Sequence, residues 1–234
     1  MVYFPSCITR TMGPSADYDD KAGVTEKTIS LLHKVGFAIR YPENIHRLCC
    51  GMAFSSKGFR RQAKEKEDEL NEALLKISDN GALPILCDMS PCLLHMRETL
   101  DKRLHLYEPV EFIYDFMLDR LEFSPLPITV AVHSTCSTTK MGVTAKLQAL
   151  AGMCAAKVVS PMEVTCCGWA GDRGFFYPEL NASALRMLPT SLEEATEGYS
   201  NSRTCEIGLT MNSGISYKSI VYLVDKVTRK KEEL

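Results

Sequence analysis

The chain has 234 residues, with 27 Lys and Arg against 29 Asp and Glu, a formal charge of -2 and a hydrophobic fraction of 45%. This ordinary soluble balance leaves room for two units of about 115 residues, and the slight acidity argues against nucleic acid as the main partner. No apolar run reaches the roughly 18–20 residues that cross a bilayer, and the opening MVYFPSCITR lacks the basic leader and long apolar stretch of a signal peptide. The expected location is therefore the cytoplasm, and ten cysteines there are expected as metal thiolates rather than disulfides.

In chain order, residues 2–4 read as a short strand that ends beside Cys7. Residues 24–35 carry helical spacing, 37–40 read as a second strand, 64–77 as a helix, 83–87 as a strand and 110–118 as a closing helix. Two prolines in Phe123-Ser-Pro-Leu-Pro127 then interrupt structure. They divide the chain into an expected first repeat, 1–126, and second repeat, 127–234. Beyond them, 128–132 reads as a strand, 143–155 as a helix with Leu147, Leu150, Ala151 and Cys154 on one face, 157–159 as a strand, 181–187 as a helix and 219–226 as a closing helix. The charge run 228–234 is expected as a solvated, fraying helix end. This alternation predicts an α/β fold of two tandem, pseudo-symmetric parallel-sheet halves, with sites at the strand ends or in the loops beyond.

The halves repeat one cysteine pattern. Cys7, Cys49, Cys50 and Cys92 are answered by Cys136, Cys166, Cys167 and Cys205, with Gly51 and Gly168 after each adjacent pair. Cys-x4-Met-Gly occurs at Cys7 and again at Cys136, and the stretch 49–59 matches 166–175 with one residue inserted. Further pairings are Glu69-Leu-Asn71 with Glu179-Leu-Asn181, Tyr107 with Tyr217, and 112–115 with 222–225. Four thiolates are the donor set of a [4Fe–4S] cluster or of a structural zinc ion, so either is expected at one or both sites. Within the two sets the short Cys-x2–4-Cys knuckles of zinc fingers are absent.

Around the sets, Gly51 and Gly168 are expected to let the backbone turn against a metal centre where a Cβ would collide. Trp169, Phe54, Phe59, Phe175 and Met52 would shield a redox centre from water. Lys57, Arg173, Lys140 and Arg203 would offset its charge. Cys154 is expected in the core. Cys87 has Ser200 as its repeat equivalent, which argues against an essential ligand. His133, three residues before Cys136, has the pKa of a general base but no Ser or Asp partner at useful spacing. His33, His46 and His105 carry no signal.

The Cys-Cys-Gly motifs, the stretch 166–175 and Ser202-Arg-Thr-Cys-Glu-Ile-Gly-Leu209 resemble the cysteine-rich CCG module. The resemblance is nearest to the C-terminal region of FAD-linked D-lactate dehydrogenases and related 2-hydroxy-acid oxidoreductases. The iron–sulfur subunits of glycolate oxidases and the corresponding cysteine-rich subunits of heterodisulfide reductases are more distant. It implies an iron–sulfur electron-transfer module, with FAD on a flavoprotein subunit or a fused domain, a downstream electron acceptor, and contact with the inner face of the membrane only through a complex. In the heterodisulfide reductase pattern a fifth thiolate follows shortly after the residue that Cys92 and Cys205 match; here His95 and Gly208 stand at that point, and neither copy has the thiolate. A disulfide reductase component is thereby disfavoured, and His95 is a candidate replacement ligand in the first site. A structural zinc-binding interaction module is the alternative from a different class. There is no Gly-x-Gly-x-x-Gly, P-loop or ferredoxin cysteine run, so the chain is not expected to oxidise substrate alone.

Overall fold

A computed structural model describes residues 1–16 and 18–232. The first half runs through β1 (Val2–Phe4), α1 (Cys7–Thr11), α2 (Val24–Lys34), α3 (Met52–Ser56), α4 (Arg60–Ile77), β2 (Ile85–Cys87), α5 (Ser90–Thr99), β3 (Leu106–Tyr107) and α6 (Pro109–Phe116). After β4 (Leu121–Phe123), the second half runs through β5 (Leu126–Val132), α7 (Cys136–Lys140), α8 (Thr144–Cys154), β6 (Ala155–Val159), α9 (Pro178–Ala184), α10 (Leu188–Ser191), β7 (Glu197–Ser200), α11 (Arg203–Ser213), β8 (Tyr217–Ser219) and α12 (Ile220–Val227), and the chain continues into β9 (Thr228–Lys230).

The fold is α/β, and its two parallel sheets follow one plan. The first has the order β1-β2-β3 and the second β6-β5-β7-β8. A single parallel bridge from Val2 to Arg40 stands where β6 stands in the second sheet, so the strand orders agree. The strand expected over 37–40 is reduced to that bridge: Arg40 donates to Met1 O and accepts from Tyr3 N–H, both at 3.0 Å. Pro42, two residues on, has no N–H to extend a ladder.

Register also corrects two repeat pairings. With Cys87 equivalent to Ser200, Leu86 faces Tyr107 and Tyr199 faces Lys218, so Tyr107 matches Lys218 and not Tyr217. The one-residue slip turns the side chain to the other face: Tyr217 is fully buried and Tyr107 is not. The same shift carries through the helices that follow, α6 and α12. The Leu-Asn pairing fails as well. Asn71 accepts the Asp101 amide at 2.8 Å far along α4, whereas Asn181 donates to Cys167 O at 2.5 Å.

The charge run after residue 227 is not a fraying helix. Thr228–Lys230 forms β9, antiparallel to β4, with Glu122 opposite Arg229 and Phe123 opposite Thr228. Ser124 donates to Val227 O at 2.8 Å, so the connection between the halves is held to the end of α12. Residues 233–234 of that expectation lie outside the described residues.

One hydrophobic core spans both halves. It joins Tyr3, Leu31, Leu32 and Phe112 to Val130, Leu147, Leu150, Val221 and Leu223. Burial of each such side chain stabilises by about 1.5–3 kcal/mol, so exposing a handful would offset the roughly 5–15 kcal/mol that holds a domain folded. The halves therefore stand or fall together. At the α2–α12 contact, Asp225 accepts from Ser30 at 2.8 Å and pairs with Lys34 at 2.7 Å and Lys27 at 3.1 Å. Burial opposes its charge, but these three donors outweigh it and hold the carboxyl below its usual range. Two flanking clusters contain the cysteines: one includes Cys50, Cys87 and Cys92, the other Cys167 and Trp169.

Candidate metal centres

Each half builds its cysteine set from the same three places. After the first strand, Ser6 and Thr135 cap five-residue helices by accepting Thr9 N–H and Thr138 N–H, each at 3.2 Å. Cys7 and Cys136 are the first residues of those helices. After the next sheet strand, α5 and α11 carry Cys92 and Cys205 as their third residues, in the first turn, where the helix dipole is positive. The Cys-Cys-Gly loops supply the remaining four.

The predicted sets come together. Cys49 accepts hydrogen bonds from Cys50 and Cys7, and Cys50 in turn contacts Cys92. In the second set, Cys136 and Cys166 lie 3.5 Å apart, Cys167 and Cys205 3.0 Å apart, and Cys166 contacts Cys167. Glycine amides donate to the first cysteine of each pair, Gly51 to Cys49 at 3.5 Å and Gly168 to Cys166 at 3.4 Å. As they stand, the thiols form hydrogen-bonded chains, and among the described residues no group of three or more His, Cys, Asp or Glu is disposed to hold a metal ion.

Titration differs between the sets. Cys50 and Cys7 donate to Cys49 and lower its pKa, while the hydrogen bond to Cys49 and burial push Cys7 up. In the second set Cys136, Cys166 and Cys167 stay protonated. Burial and Cys166 raise Cys136; the contact with Cys167 and burial raise Cys166. At Cys167 the contact with Cys166 lowers the pKa, but Cys205 and burial prevail and push it up to about 12. Loading either set must therefore release protons. Four soft sulfur donors beside helix N-termini, with Arg10, Lys66 and Lys140 each favouring a thiolate, fit an iron–sulfur or zinc centre.

Several expectations around the sets are corrected. Gly51 and Gly168 have φ of +87° and +70°, but the atoms that forbid a Cβ belong to the following helices. A Cβ on Gly51 would sit 2.8 Å from Ala63 O, and one on Gly168 would sit 2.9 Å from Leu180 O. The aromatic shield is only partial. Trp169 is buried, but Phe59 and Phe175 are 56% and 51% exposed, and Phe54 is also exposed, because the loops point outward. Lys57 pairs with Asp172 at 2.7 Å, and Arg203 donates to Tyr18 Oη and Gly13 O, so neither cation is free for a cluster. His95 is engaged through Nε2 with Glu67 Oε1 at 2.9 Å, which leaves only Nδ1 for any metal. His133 is buried with Nε2 unpartnered, and burial holds its pKa down to about 4. Cys154 and Cys87 are both fully buried, and Cys87 packs in the same cluster as Cys92.

Two supporting residues escaped the sequence reading. Asp88 and Asn201 stand directly after β2 and β7, four residues before Cys92 and Cys205, and each ties down the helix that carries Cys7 or Cys136. Their signal was a short polar side chain at one offset in both copies. Arg10 is a third: it donates to Pro5 O and Leu48 O, linking α1 to the first Cys-Cys loop.

The model of the cysteine-rich CCG domain matches residues 1–97 and 130–209, one match over each cysteine set. Over 138 residues the chain is also 24% identical to the C subunit of the anaerobic glycerol-3-phosphate dehydrogenase of Escherichia coli strain K12, and to that of strain O157:H7. The match covers 54% of this chain and 35% of each relative, so the chain spans about a third of their length.

Proposed function

The chain belongs to the cysteine-rich CCG domain family, and from that premise we propose that it is the iron–sulfur electron-transfer module of a flavin-linked oxidoreductase. The observation that carries this reading is the convergence of eight cysteines into two four-thiol groups at equivalent strand ends. In the proposal, Cys7, Cys49, Cys50 and Cys92 hold one [4Fe–4S] cluster, within a repeat of residues 1–126. Cys136, Cys166, Cys167 and Cys205 hold the other, within residues 127–234. Bound clusters would supply one-electron carriage. The chain's own residues supply thiolate donors, glycine amides that hydrogen-bond sulfur, and a packed core that keeps the two sets at a set spacing.

The partner would be a flavoprotein subunit or a fused FAD domain, followed by a downstream acceptor. The relative is a subunit of a glycerol-3-phosphate dehydrogenase, and the sequence resembles a module of D-lactate dehydrogenases. A small 2-hydroxy acid such as D-lactate is the substrate class proposed for the whole assembly. Among the described residues no helix is long and apolar enough to cross a membrane, and membrane contact through the complex is part of the proposal.

Anaerobic purification with iron, acid-labile sulfide and zinc analysis tests the reading. Iron and sulfide near eight atoms each per chain support it, and stoichiometric zinc without sulfide overturns it. The zinc alternative has one observation in its favour. The 3.5 Å between Cys136 and Cys166 is near the ~3.8 Å edge of a sulfur tetrahedron with Zn–S of about 2.3 Å.

A further inference from the structure

Beyond the cysteine sets, the most unusual surface feature is a group of exposed aromatic side chains contributed by both halves and tied together through one lysine. Phe54 lies in α3 and Phe59 just before α4, and Phe175, Phe176, Tyr177 and Leu180 follow the second Cys-Cys loop. All six are exposed, Phe176 to 69%. Lys57 joins the two groups, pairing with Asp172 at 2.7 Å and lying 6.0 Å from the Phe176 ring centroid. Soluble proteins seldom leave so many large apolar side chains together in water without a partner.

The surroundings of this face narrow the choice of partner. Arg60, Arg173 and Lys140 are exposed and carry no ion pair among the described residues, against Glu179 as the unpaired carboxylate on the segment. Cys136 and Cys166 are exposed beside it, whereas their counterparts in the first set, Cys7 and Cys49, are half-buried. We infer that this face docks an acidic flavoprotein, with the second cysteine set as the one approached. An apolar centre inside a cationic rim matches the anatomy of a protein interface steered by charge. Asp172 is neutralised by Lys57, and anionic lipid would meet the same cationic rim, so vesicle binding is one of the outcomes that the test separates. A second copy fits less well, since an isologous contact would oppose the same cationic rim to itself.

The inference rests on the electron-transfer reading for the choice of partner, but its test does not require a bound cluster. Flavodoxin, a small acidic flavoprotein, serves as the probe in titration calorimetry against the whole chain, with iron content measured on the same samples. The expected result is binding that weakens about tenfold or more between low and physiological salt. Arg60→Glu with Arg173→Glu, and separately Phe176→Ser, should each weaken it about tenfold or more with unchanged melting. Absence of wild-type binding, or binding unaffected by both variants, overturns the proposal. So does a Phe176-dependent dimer in sedimentation, or a preference for phosphatidylserine vesicles over flavodoxin that Phe176→Ser abolishes. If iron analysis fails while flavodoxin binds as expected, the docking surface stands and the electron-transfer reading falls.

Discussion

Asp88 and Asn201 hold one place in the two halves and do the same work with different chemistry. Asp88 Oδ1 accepts Ser6 N–H at 2.9 Å and the Thr9 hydroxyl at 3.0 Å; Asn201 Oδ1 accepts the Thr138 hydroxyl at 2.8 Å and that of Thr135 at 3.3 Å. Each thereby fixes the short helix that begins with a site cysteine. Asn201 also reaches across the molecule, donating to Glu108 Oε2 while its backbone oxygen accepts the Ser90 amide at 3.2 Å. The two sites are thus joined by buried hydrogen bonds as well as by the shared core.

Asp88→Asn should consequently be tolerated better than Asp88→Ala. The alanine variant orphans the buried Ser6 amide and Tyr3 hydroxyl, at a cost of about 1–3 kcal/mol for each unsatisfied group. The asparagine keeps an acceptor for Ser6 and removes a buried carboxyl whose pKa burial raises. Urea denaturation of both variants checks this; equal losses would remove Asp88 as a helix anchor.

Gly51→Ala and Gly168→Ala should each destabilise by about 1–3 kcal/mol through overpacking, with left-handed backbone strain adding to it. The contacts that forbid the methyl belong to α4 and α9. The loss should therefore persist in metal-free protein, and a loss confined to metal-loaded protein would instead place the obstruction at the metal.

Glu108 gives a pH signature. Burial first, and Glu111 second, push its carboxyl up to about 8, against roughly 4.3 in an unfolded chain. Between those values the native state holds a proton that the unfolded state has released. Stability present at acid pH is therefore lost as pH rises through this window, at up to about 1.4 kcal/mol per pH unit. Glu108→Gln should lose that slope between pH 5 and 8. Glu206, which burial pushes up to about 7, acts in the same direction in both proteins. His133 acts oppositely, losing stability as pH falls from about 6.5 towards 4. Both cancel in the difference, so identical slopes in wild type and variant would refute the assignment.

If the proposed centres form, Cys50→Ser and Cys167→Ser should each remove about half of the bound metal and leave the other centre intact, because each set draws its cysteines from one half. Iron and zinc analysis together with circular dichroism reads this directly. Loss of all metal from either variant would show that the sets do not load independently.

The bidentate Arg229–Glu122 pair joins β9 to β4 at 2.7 and 3.1 Å, but both side chains are exposed. Arg229→Ala should therefore cost no more than about 1 kcal/mol. Asp225→Ala, which strips three donors of their acceptor at the α2–α12 contact, should cost clearly more. Thermal melts of the two variants rank them, and the reverse order would count against the shared interface as the stronger tie.

The amino-acid sequence by itself determined the repeat, the alternation of strands and helices, and the grouping of eight cysteines into two sets. Those features are carried by local periodicity and by residues whose spacing recurs, so no distant contact is needed to read them. Tertiary structure alone decided the rest, because each remaining question turned on a partner far away in the chain. Residues 37–40 form one bridge instead of a strand because only Met1 and Tyr3 are there to pair with Arg40. The charged tail becomes a strand because β4 offers it an edge. His95 is held by Glu67, and the glycines of the Cys-Cys-Gly loops are confined by helix backbones. Phe175 and Phe59, which pattern alone would bury, face solvent because the loops that hold them run over the surface beside the sites.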